Sequence, residues 1–260
     1  MIKMIKNVLL FFLTINVTFS QTLPTSRSVD WTIAGLQTTN IEGSFQNINM
    51  SDFNVVGNGT TTNDTFLNNA LSTVTSAGAI LKFPEGTFLF NNTITLPSNV
   101  VLKGVRADKT IFKVDLSGSE HSIQATGTIS SVAVNLSIEA IKNNNFIDVS
   151  DASSFSIGDW IQIFQTDTDL VTSTWAYNTV GQIVKISNIT GNRISLVSAL
   201  RLNYPLSRSP YIKKITPVEN VGIECIKILR IDDTAPSQTS NVLFNYAVNS
   251  WVEGIESEYC

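Results

Sequence analysis

Short strands joined by tight turns are the feature of this 260-residue sequence that most restricts its possible folds. Over residues 79–114 the chain reads as apolar runs of three to six residues, separated by turn signals such as Pro84-Glu85-Gly86 and Asn91-Asn92. No helical period follows Val74. Strands so short and so evenly spaced predict either a β-sandwich or barrel, or a solenoid in which each coil stacks on the previous one.

A repeated dipeptide favours the solenoid. Asn-Val begins at Asn99, Asn220 and Asn241, and each copy continues into alternating apolar positions. The last two copies begin 21 residues apart (241 − 220), a spacing within the range of roughly 20 to 29 residues known for repeats that stack one set of strands per turn. Together with the lack of later helical patterns, the repeat predicts a parallel β-helix.

One amphipathic helix precedes these strands, over residues 65–74. Its apolar positions fall on a single stripe at the helical period: Phe66, Leu67, Ala70, Leu71 and Val74. Asn63 or Asp64 is placed to cap the helix, and Gly57 and Gly59 give the preceding loop its backbone freedom. Because a solenoid coil contacts only its neighbours, the first coil exposes its interior and its strand edges. We therefore expect the helix to close this end of the core.

The patterns divide the chain into five segments. Residues 1–20 have Lys3 and Lys6 ahead of an apolar run at 8–19, as in a secretory signal peptide, and the run is too short to span a bilayer. We therefore predict a secreted, periplasmic or cell-surface protein. The remaining segments are an extended lead-in at 21–52, the cap and first coils at 53–145, a small antiparallel β insert at 146–218, and further coils at 219–260. No closing element is visible at the C-terminus, and we expect the solenoid to continue beyond it.

The charge balance excludes some partners. The formal net charge of -4 argues against nucleic acid, which is bound by basic surfaces. Arg201, Arg208, Lys213 and Lys214 form one concentration of cations after residue 20. They form either a local site for acidic polysaccharide or a solvated strand edge, and we favour the edge. The two cysteines are too few to build a fold on disulfides.

The N-terminal part of the sequence resembles a known superfamily. "DFNVVGNGTTTNDTFLNNAL", "AILKFPEGTFLF" and "ITLPSNVVLKGV" look like the N-terminal signature of the pectate-lyase-like superfamily, and most closely the rhamnogalacturonase/epimerase-like pectate lyase group. The family's loop commonly has Gly-Asp-Gly and then Asp-Asp-Thr. Here Gly57-Asn58-Gly59 and Asn63-Asp64-Thr65 carry amides at two acidic positions, and Phe88 replaces the usual Tyr. The likeness is specific over residues 53–105.

The resemblance implies a right-handed parallel β-helix and an exported protein that acts on polysaccharides. The leading hypothesis is therefore a polysaccharide lyase or glycoside hydrolase acting on glycans that contain uronic acids. The alternative is a non-catalytic adhesin or glycan-binding module, because the solenoid alone supports many functions. The matching motif is structural and assigns no catalytic residue. We expect such residues on middle coils, mostly beyond Cys260, and leave the oligomeric state open.

Acidic pairs are the candidates for catalysis or cation binding. Glycoside hydrolysis uses two carboxylates, and Asp232-Asp233 is the most conspicuous pair; a Ca²⁺ site and a solvated turn are the alternatives. Asp167 and Asp169 could also bind Ca²⁺ through oxygen ligands, or lie in an exposed loop. Ca²⁺ is the only cofactor that these patterns suggest. His121, the only histidine, fits a surface loop better than a lyase base.

Two aromatic residues are the best candidates for contact with a substrate. Trp175 and Tyr177 lie in the polar loop "TSTWAYNT", and exposed aromatic rings can stack on sugars while their polar tips stay hydrated. Local packing is the alternative. Trp160 and Trp251 fall in strand patterns, and we expect them in the core. The sequence contains no phosphate-binding loop, Cys/His metal cluster, nucleophile elbow or dinucleotide fingerprint.

Overall fold

The computed structural model of the protein describes residues 43–118, 120–232 and 239–259. The predicted signal peptide at 1–20 and most of the predicted lead-in at 21–52 lie outside these ranges. Among the helices that the ranges contain, none combines the length and the apolar content that crossing a membrane requires.

Three parallel sheets stack strands from successive turns of the chain, and the strands are numbered here in chain order. The first sheet contains β1 (Gln46–Asn49), β3 (Ala79–Lys82), β6 (Val100–Lys103), β17 (Gly222–Glu224) and β21 (Trp251–Glu253). The second contains β2 (Asn58–Thr62), β4 (Gly86–Phe90), β7 (Thr110–Val114), β18 (Lys227–Arg230) and β22 (Glu256–Glu258). The third contains β5 (Ile94–Thr95), β8 (Ile123–Thr126) and β19 (Val242–Asn245). A short parallel pair joins β16 (Val218–Glu219) to β20 (Ala247–Val248), and the predicted parallel β-helix is confirmed.

Matching apolar side chains from successive coils fill the space between the sheets. Leu102 of β6 is aligned with Ile223 of β17, and both are fully buried. In the second sheet Phe88 is aligned with Phe112. The ring of Phe83 meets both of these rings edge-on, with centroids 5.3 and 4.7 Å away. Each coil therefore buries its apolar residues against the next, as stacking in a solenoid requires.

Asparagines mark one corner of the coils. Asn99, Asn220 and Asn249 come just before strands of the first sheet at corresponding positions, and all three have left-handed backbone conformations, with φ of 64°, 57° and 50°. Asparagine tolerates this conformation better than most residues. Nδ2 of Asn220 also donates a hydrogen bond to Oδ1 of Asn99, 2.8 Å away. The corner thus combines a backbone requirement with a side-chain contact between coils.

The length of a coil differs from the predicted value. Gly222 is aligned with Trp251, so this turn of the β-helix takes 29 residues (251 − 222). Asn241 comes before β19 in the third sheet and is therefore not equivalent to Asn220. The 21-residue repeat inferred from these two asparagines is wrong, because it compared two different corners of the same coil.

The predicted amphipathic helix is present as α1 (Asp64–Ser72). Its side chains Leu67 and Ala70 are buried in the core of the β-helix, and Leu71 and Val74 pack against that core. The helix also contacts a 3-10 turn at Met50–Phe53, where Met50 is fully buried. The first coil already includes β1, so regular structure begins inside the range predicted as an extended lead-in.

An insert leaves the β-helix at one corner and returns to the same place. Thr126 ends β8 and is aligned with Asn245, and Val218 is aligned with Ala247. Residues 127–217 therefore occupy the position that a single residue, Tyr246, occupies in the next coil. The entering and leaving chains are closely packed there, because a Cβ on Gly127 would lie only 2.6 Å from the carbonyl oxygen of Thr216.

The insert is an antiparallel sheet. Its strands are β9 (Thr128–Ile129), β10 (Val134–Asn135), β11 (Phe146–Asp148), β12 (Trp160–Phe164), β13 (Gln182–Thr190), β14 (Arg193–Leu196) and β15 (Tyr211–Thr216). They are ordered β10, β15, β12, β13, β14, β11, with β9 also beside β15. Two 3-10 turns, Thr174–Ala176 and Leu206–Arg208, lie in its connections. Because β9 and β10 belong to this sheet, the antiparallel unit starts before the predicted boundary at residue 146.

The insert has a hydrophobic core of its own. Ile161 and Ile163 of β12, Val184 of β13 and Ile212 of β15 are buried on one face of the sheet, in a cluster separate from the core of the β-helix. The insert is therefore stabilised largely by its own packing. The opposite face of this sheet carries a different set of side chains, including Trp160 and Phe164.

Candidate functional site

The most exposed aromatic residues of the insert lie on the loop 165–181, between β12 and β13. Trp175 is 85% exposed and Tyr177 is 40% exposed. Trp175 lies within the 3-10 turn Thr174–Ala176, and Tyr177 follows that turn directly. The structure thus places the two predicted aromatic residues on one loop, and both are exposed to solvent.

Asp167 holds this loop in place from beneath. The residue is 1% exposed, and its carboxylate accepts hydrogen bonds from the backbone N–H groups of Asn178, at 2.7 Å, and Val180, at 2.9 Å. Because these bonds favour the ionised form, they lower the pKa of Asp167. The carboxylate fixes the chain on the C-terminal side of Trp175 and Tyr177.

A second acidic residue attaches the same loop to a distant part of the insert. Asp169 pairs with both terminal nitrogens of Arg208, and the Nη2–Oδ2 distance is 2.8 Å. The pair lowers the pKa of the Asp169 carboxyl group. The backbone N–H of Thr166 also donates to the carbonyl of Arg208, at 2.8 Å. Asp167 and Asp169, considered above as Ca²⁺ ligands, are thus both engaged in holding the loop.

Asp232 of the predicted metal pair is engaged in a buried ion pair. Arg230 Nε and Nη2 donate to its two oxygens, each at 2.8 Å, and both side chains are almost fully buried. The backbone N–H of Gly118 donates to Oδ2 at 2.6 Å. The guanidinium group of Arg230, together with this amide, lowers the pKa of Asp232. Arg230 Nη1 also donates to the carbonyl of Glu120, at 2.9 Å, so the pair secures the connection between β7 and β8.

The other half of the predicted metal pair, Asp233, lies outside the described residues. Within the ranges that the structure describes, no three His, Cys, Asp or Glu side chains come together as potential metal ligands. His121 makes a contact between coils: its Nδ1 accepts a hydrogen bond from the backbone N–H of Ser240, at 3.0 Å.

The two tryptophans predicted in the core are instead half-buried on outer faces of sheets. Trp251 is aligned with Gly222, and a Cβ on Gly222 would lie 2.5 Å from its ring, so the indole covers the glycine. Trp251 Nε1 donates to Glu224 at 2.7 Å, and Glu224 pairs with Lys103 at 2.8 Å. Trp160 lies on the face of the insert sheet opposite its core. Strand periodicity alone did not indicate which face of each sheet is buried.

A cleft lies where the insert joins the β-helix. Its volume is about 380 Å³, and its lining is rich in threonine and serine hydroxyl groups and in proline, without charged side chains: Thr95, Leu96, Pro97, Ser98, Thr126, Gly127, Thr128, Thr216, Pro217 and Val218. Such a lining can hydrogen-bond to neutral polar groups, but it offers neither an acid nor a base.

Comparison with known proteins identifies the family. Residues 47–200 match the family described as rhamnogalacturonase A/epimerase, pectate lyase-like. The chain belongs to this family. The match extends from the first coil of this pectate-lyase-like protein through most of its insert, so it includes the loop that carries Trp175 and Tyr177. A search among curated protein sequences finds no match.

Solved structures that resemble this pectate-lyase-like protein include three phage tailspikes. The gp54 tailspike of Acinetobacter baumannii bacteriophage AP22, solved in complex with A. baumannii capsular saccharide, is 20% identical with a TM-score of 0.60, over 81% of this chain and 35% of the tailspike. The gp61 tailspike of Pseudomonas phage phi297 is 12% identical with a TM-score of 0.58, over 82% and 38%. The gp49 tailspike of Pseudomonas phage LKA1 is 16% identical with a TM-score of 0.50, over 70% and 34%.

These likenesses establish the β-helix fold of the pectate-lyase-like protein. The chain spans about a third of the length of each tailspike. The carboxylates proposed from sequence, Asp167, Asp169 and Asp232, are already engaged in ion pairs or backbone hydrogen bonds. Sequence reasoning found the exposed aromatics but missed the ion pairs that Arg208 makes with Asp169 and Arg230 makes with Asp232.

Proposed function

We propose that this protein is exported and acts on an extracellular polysaccharide containing uronic acids, which it contacts through Trp175 and Tyr177. The observation that carries the proposal is an indole 85% exposed on a loop that the buried carboxylate of Asp167 holds. An aromatic ring fixed in advance can stack on a sugar without the entropic cost of ordering a flexible loop.

The ligand class is supported by the family and by the tailspike that binds a capsular saccharide. That tailspike is only 20% identical to this chain, so it supports a class of ligand and no individual contact. Within the proposal, the complete protein is a polysaccharide lyase or glycoside hydrolase.

A non-catalytic glycan-binding module or adhesin is the second candidate. The acidic residues singled out from the sequence, Asp167, Asp169 and Asp232, all make contacts that stabilise the fold. This structural use of the carboxylates favours the non-catalytic candidate. A hydrolase needs two carboxylates available to the glycosidic bond. Both candidates bind the polysaccharide, but only the enzyme cleaves it.

The test of the proposal measures binding and turnover on the same polysaccharides. Purified full-length protein is incubated with polygalacturonate, alginate, hyaluronan and bacterial capsular polysaccharides. Turnover is followed by the absorbance of unsaturated uronate ends and by reducing sugar, and binding by affinity electrophoresis. Cleavage of any polymer supports an enzyme, and retardation without cleavage supports the binding module. Absence of both on every polymer contradicts the proposal.

The contribution of the loop is tested by the double variant W175A/Y177A. Tyr259→Ala is the matched control, because Tyr259 is 75% exposed and lies on the last described coil, away from the insert. We expect the double variant to lose most of the retardation and the control to keep it. Equal retardation of the two variants would remove the loop from the binding site.

Export is tested separately. The full reading frame is expressed with a C-terminal tag, and the N-terminus of the protein recovered outside the cytoplasm is sequenced. We expect cleavage after Ser20, which leaves Gln21 as the first residue. Recovery of uncleaved protein from the cytoplasm alone would contradict this part of the proposal.

A further inference from the structure

The face of the insert sheet opposite its core carries aromatic rings and lysines. Trp160, Phe164, Lys185, Tyr211 and Lys213 lie on this face, and we call these five residues the aromatic-lysine face. Trp160 and Phe164 alternate with the buried Ile161 and Ile163 along β12, so they point away from the core. Cross-strand pairing puts Lys185 beside Trp160, and Tyr211 beside Phe164, on the same side. Lys213 is aligned across the strands with Gln162, whose side chain lies on the same face as Trp160 and Phe164.

The rings of this face are arranged by direct contact. Phe164 and Tyr211 are stacked, with centroids 5.0 Å apart and planes inclined by 13°. Nζ of Lys185 lies 5.8 Å from the centroid of the Trp160 ring. Ile183, on the same face, is 42% exposed. The three rings are half-buried, so the face offers ordered, partly exposed apolar surface with a cation held against it.

The two lysines of the face differ from their neighbour Lys214. Lys214 points toward the opposite side of the sheet and pairs with Asp159 at 2.7 Å. Among the residues that the structure describes, no carboxylate lies within ion-pairing distance of Lys185 or Lys213. These lysines flank β12 on either side, two strand spacings or about 10 Å apart across the sheet and offset by two residues along β12. Two lysines beside aromatic rings, neither with a carboxylate partner among the described residues, are poorly explained by the packing of the insert alone.

We infer that the aromatic-lysine face is a second glycan-binding surface, and that it selects chains bearing carboxylate groups. Aromatic rings supply flat apolar area for sugar rings, and the lysines supply positive charge for uronate carboxylates. A neutral glycan would be bound by stacking on the aromatic rings alone, without the attraction between lysines and carboxylates. The formal net charge of the protein is -4, so attraction for a polyanion has to come from such a local arrangement.

This inference rests on the proposed function, and it adds a surface separate from the Trp175 loop together with a preference for charge. The test compares the wild type with the double variant K185Q/K213Q. Replacing lysine by glutamine keeps much of the side-chain length and leaves the three aromatic rings in place. The control is K82Q/K109Q, which changes the net charge by the same amount at exposed positions of the β-helix.

Affinities are measured on polygalacturonate and on its carboxyl-reduced, neutral form, at low and at physiological salt. We expect K185Q/K213Q to bind polygalacturonate about five-fold more weakly than the wild type. Binding of the reduced polymer should not change, and the control should match the wild type. Thermal unfolding should be the same for all three proteins, which separates a lost contact from a damaged fold.

Two results would overturn the inference in distinguishable ways. If K185Q/K213Q and K82Q/K109Q bind polygalacturonate equally while W175A/Y177A does not bind, the second surface is wrong and the proposed function stands. If the wild type binds neither this polymer nor alginate, hyaluronan or capsular polysaccharide, the proposed function fails and the inference fails with it.

Discussion

Asn63 and Val56 exchange two hydrogen bonds: the N–H of Val56 donates to Asn63 Oδ1 at 2.8 Å, and Asn63 Nδ2 donates to the carbonyl of Val56 at 3.1 Å. Nδ2 also donates to the carbonyl of Thr61, at 2.9 Å. Asn63 is fully buried at the N-terminus of α1. Its amide therefore holds the Gly57-Asn58-Gly59 loop against the capping helix by donating and accepting at once.

Asn63→Asp should destabilise the protein by about 2 to 4 kcal/mol at neutral pH, because a buried carboxylate would face carbonyl oxygens without a proton to donate. The same facing oxygens raise the pKa of that carboxyl group, so the loss should shrink as the pH falls and the group is protonated. Urea unfolding at pH 7 and pH 4 measures both effects.

The control for this prediction is Asn58→Asp. The Asn58 side chain is exposed, and its Oδ1 accepts from the backbone N–H groups of Thr60 and Thr61, contacts that a carboxylate can keep. We expect little change in stability. If both variants unfold at the same urea concentration, the amide of Asn63 is not the constraint described here.

Leu67→Asp should remove at least about 4 kcal/mol of stability, since the change deletes a buried leucine and introduces a charge into the core. Leu67 is 2% exposed and packs on the first coil of the β-helix. Thermal unfolding and light scattering are the measurements, and we expect early unfolding with aggregation. Asn68→Asp, on the exposed side of the same helix, is the control. An unchanged cooperative melt for Leu67→Asp would refute the capping role of α1.

Asp232→Asn should destabilise the protein by about 3 to 5 kcal/mol at pH 7, because Arg230 would stay buried without its counter-charge. The chain provides a control with the same spacing. Arg106 and Asp108 also pair through two hydrogen bonds, but their side chains are 68% and 56% exposed, so Asp108→Asn should leave the melting temperature unchanged.

The Asp232 prediction also has a pH dependence. Because the pKa of Asp232 is lowered in the folded state, its contribution is fully present above the unfolded value of about 3.9 and is lost as the pH falls through the folded value. The difference in unfolding free energy between wild type and Asp232→Asn should therefore narrow below about pH 4. A constant difference from pH 7 to pH 2 would contradict this assignment.

Asp167→Asn should loosen the Trp175 loop without unfolding the insert. An asparagine can present one oxygen to the N–H groups of Asn178 and Val180, but its amide nitrogen would face the second donor. Hydrogen exchange at residues 174–180 should become faster, while exchange in β12 and β13 stays slow. Thr168→Ala, at the exposed neighbouring position, is the control. Unchanged protection of the loop in Asp167→Asn would show that other contacts hold it.

Much of the fold was predictable because its signals are local. Short apolar runs with turn residues indicated the strands, and the stripe containing Leu67 and Ala70 indicated the helix that packs on the core. The register of the coils was not predictable in the same way. Asn241 has the same Asn-Val dipeptide as Asn220 but lies at a different corner. The residue equivalent to Asn220 in the next coil is Asn249, which shares its left-handed backbone conformation but is not followed by valine.

The candidate site was predictable only in part. Polar flanking residues correctly indicated that Trp175 and Tyr177 are exposed. The partners of the acidic residues were not evident, because Asp169 and Arg208 are 39 positions apart in the chain. The outward orientation of Trp160 was missed as well, since alternation along a strand separates two faces without showing which one is buried.

One corner of the β-helix is formed by the single residue Tyr246 in one coil and by residues 127–217 in the coil before it. The strands on both sides keep their register whether one residue or a folded unit connects them. Inserts can therefore be gained, lost or exchanged at this corner while the scaffold stays constant. For an engineer, the position between Thr126 and Val218 is a graft site, at which another folded module could replace the insert with the stacking of the coils unchanged.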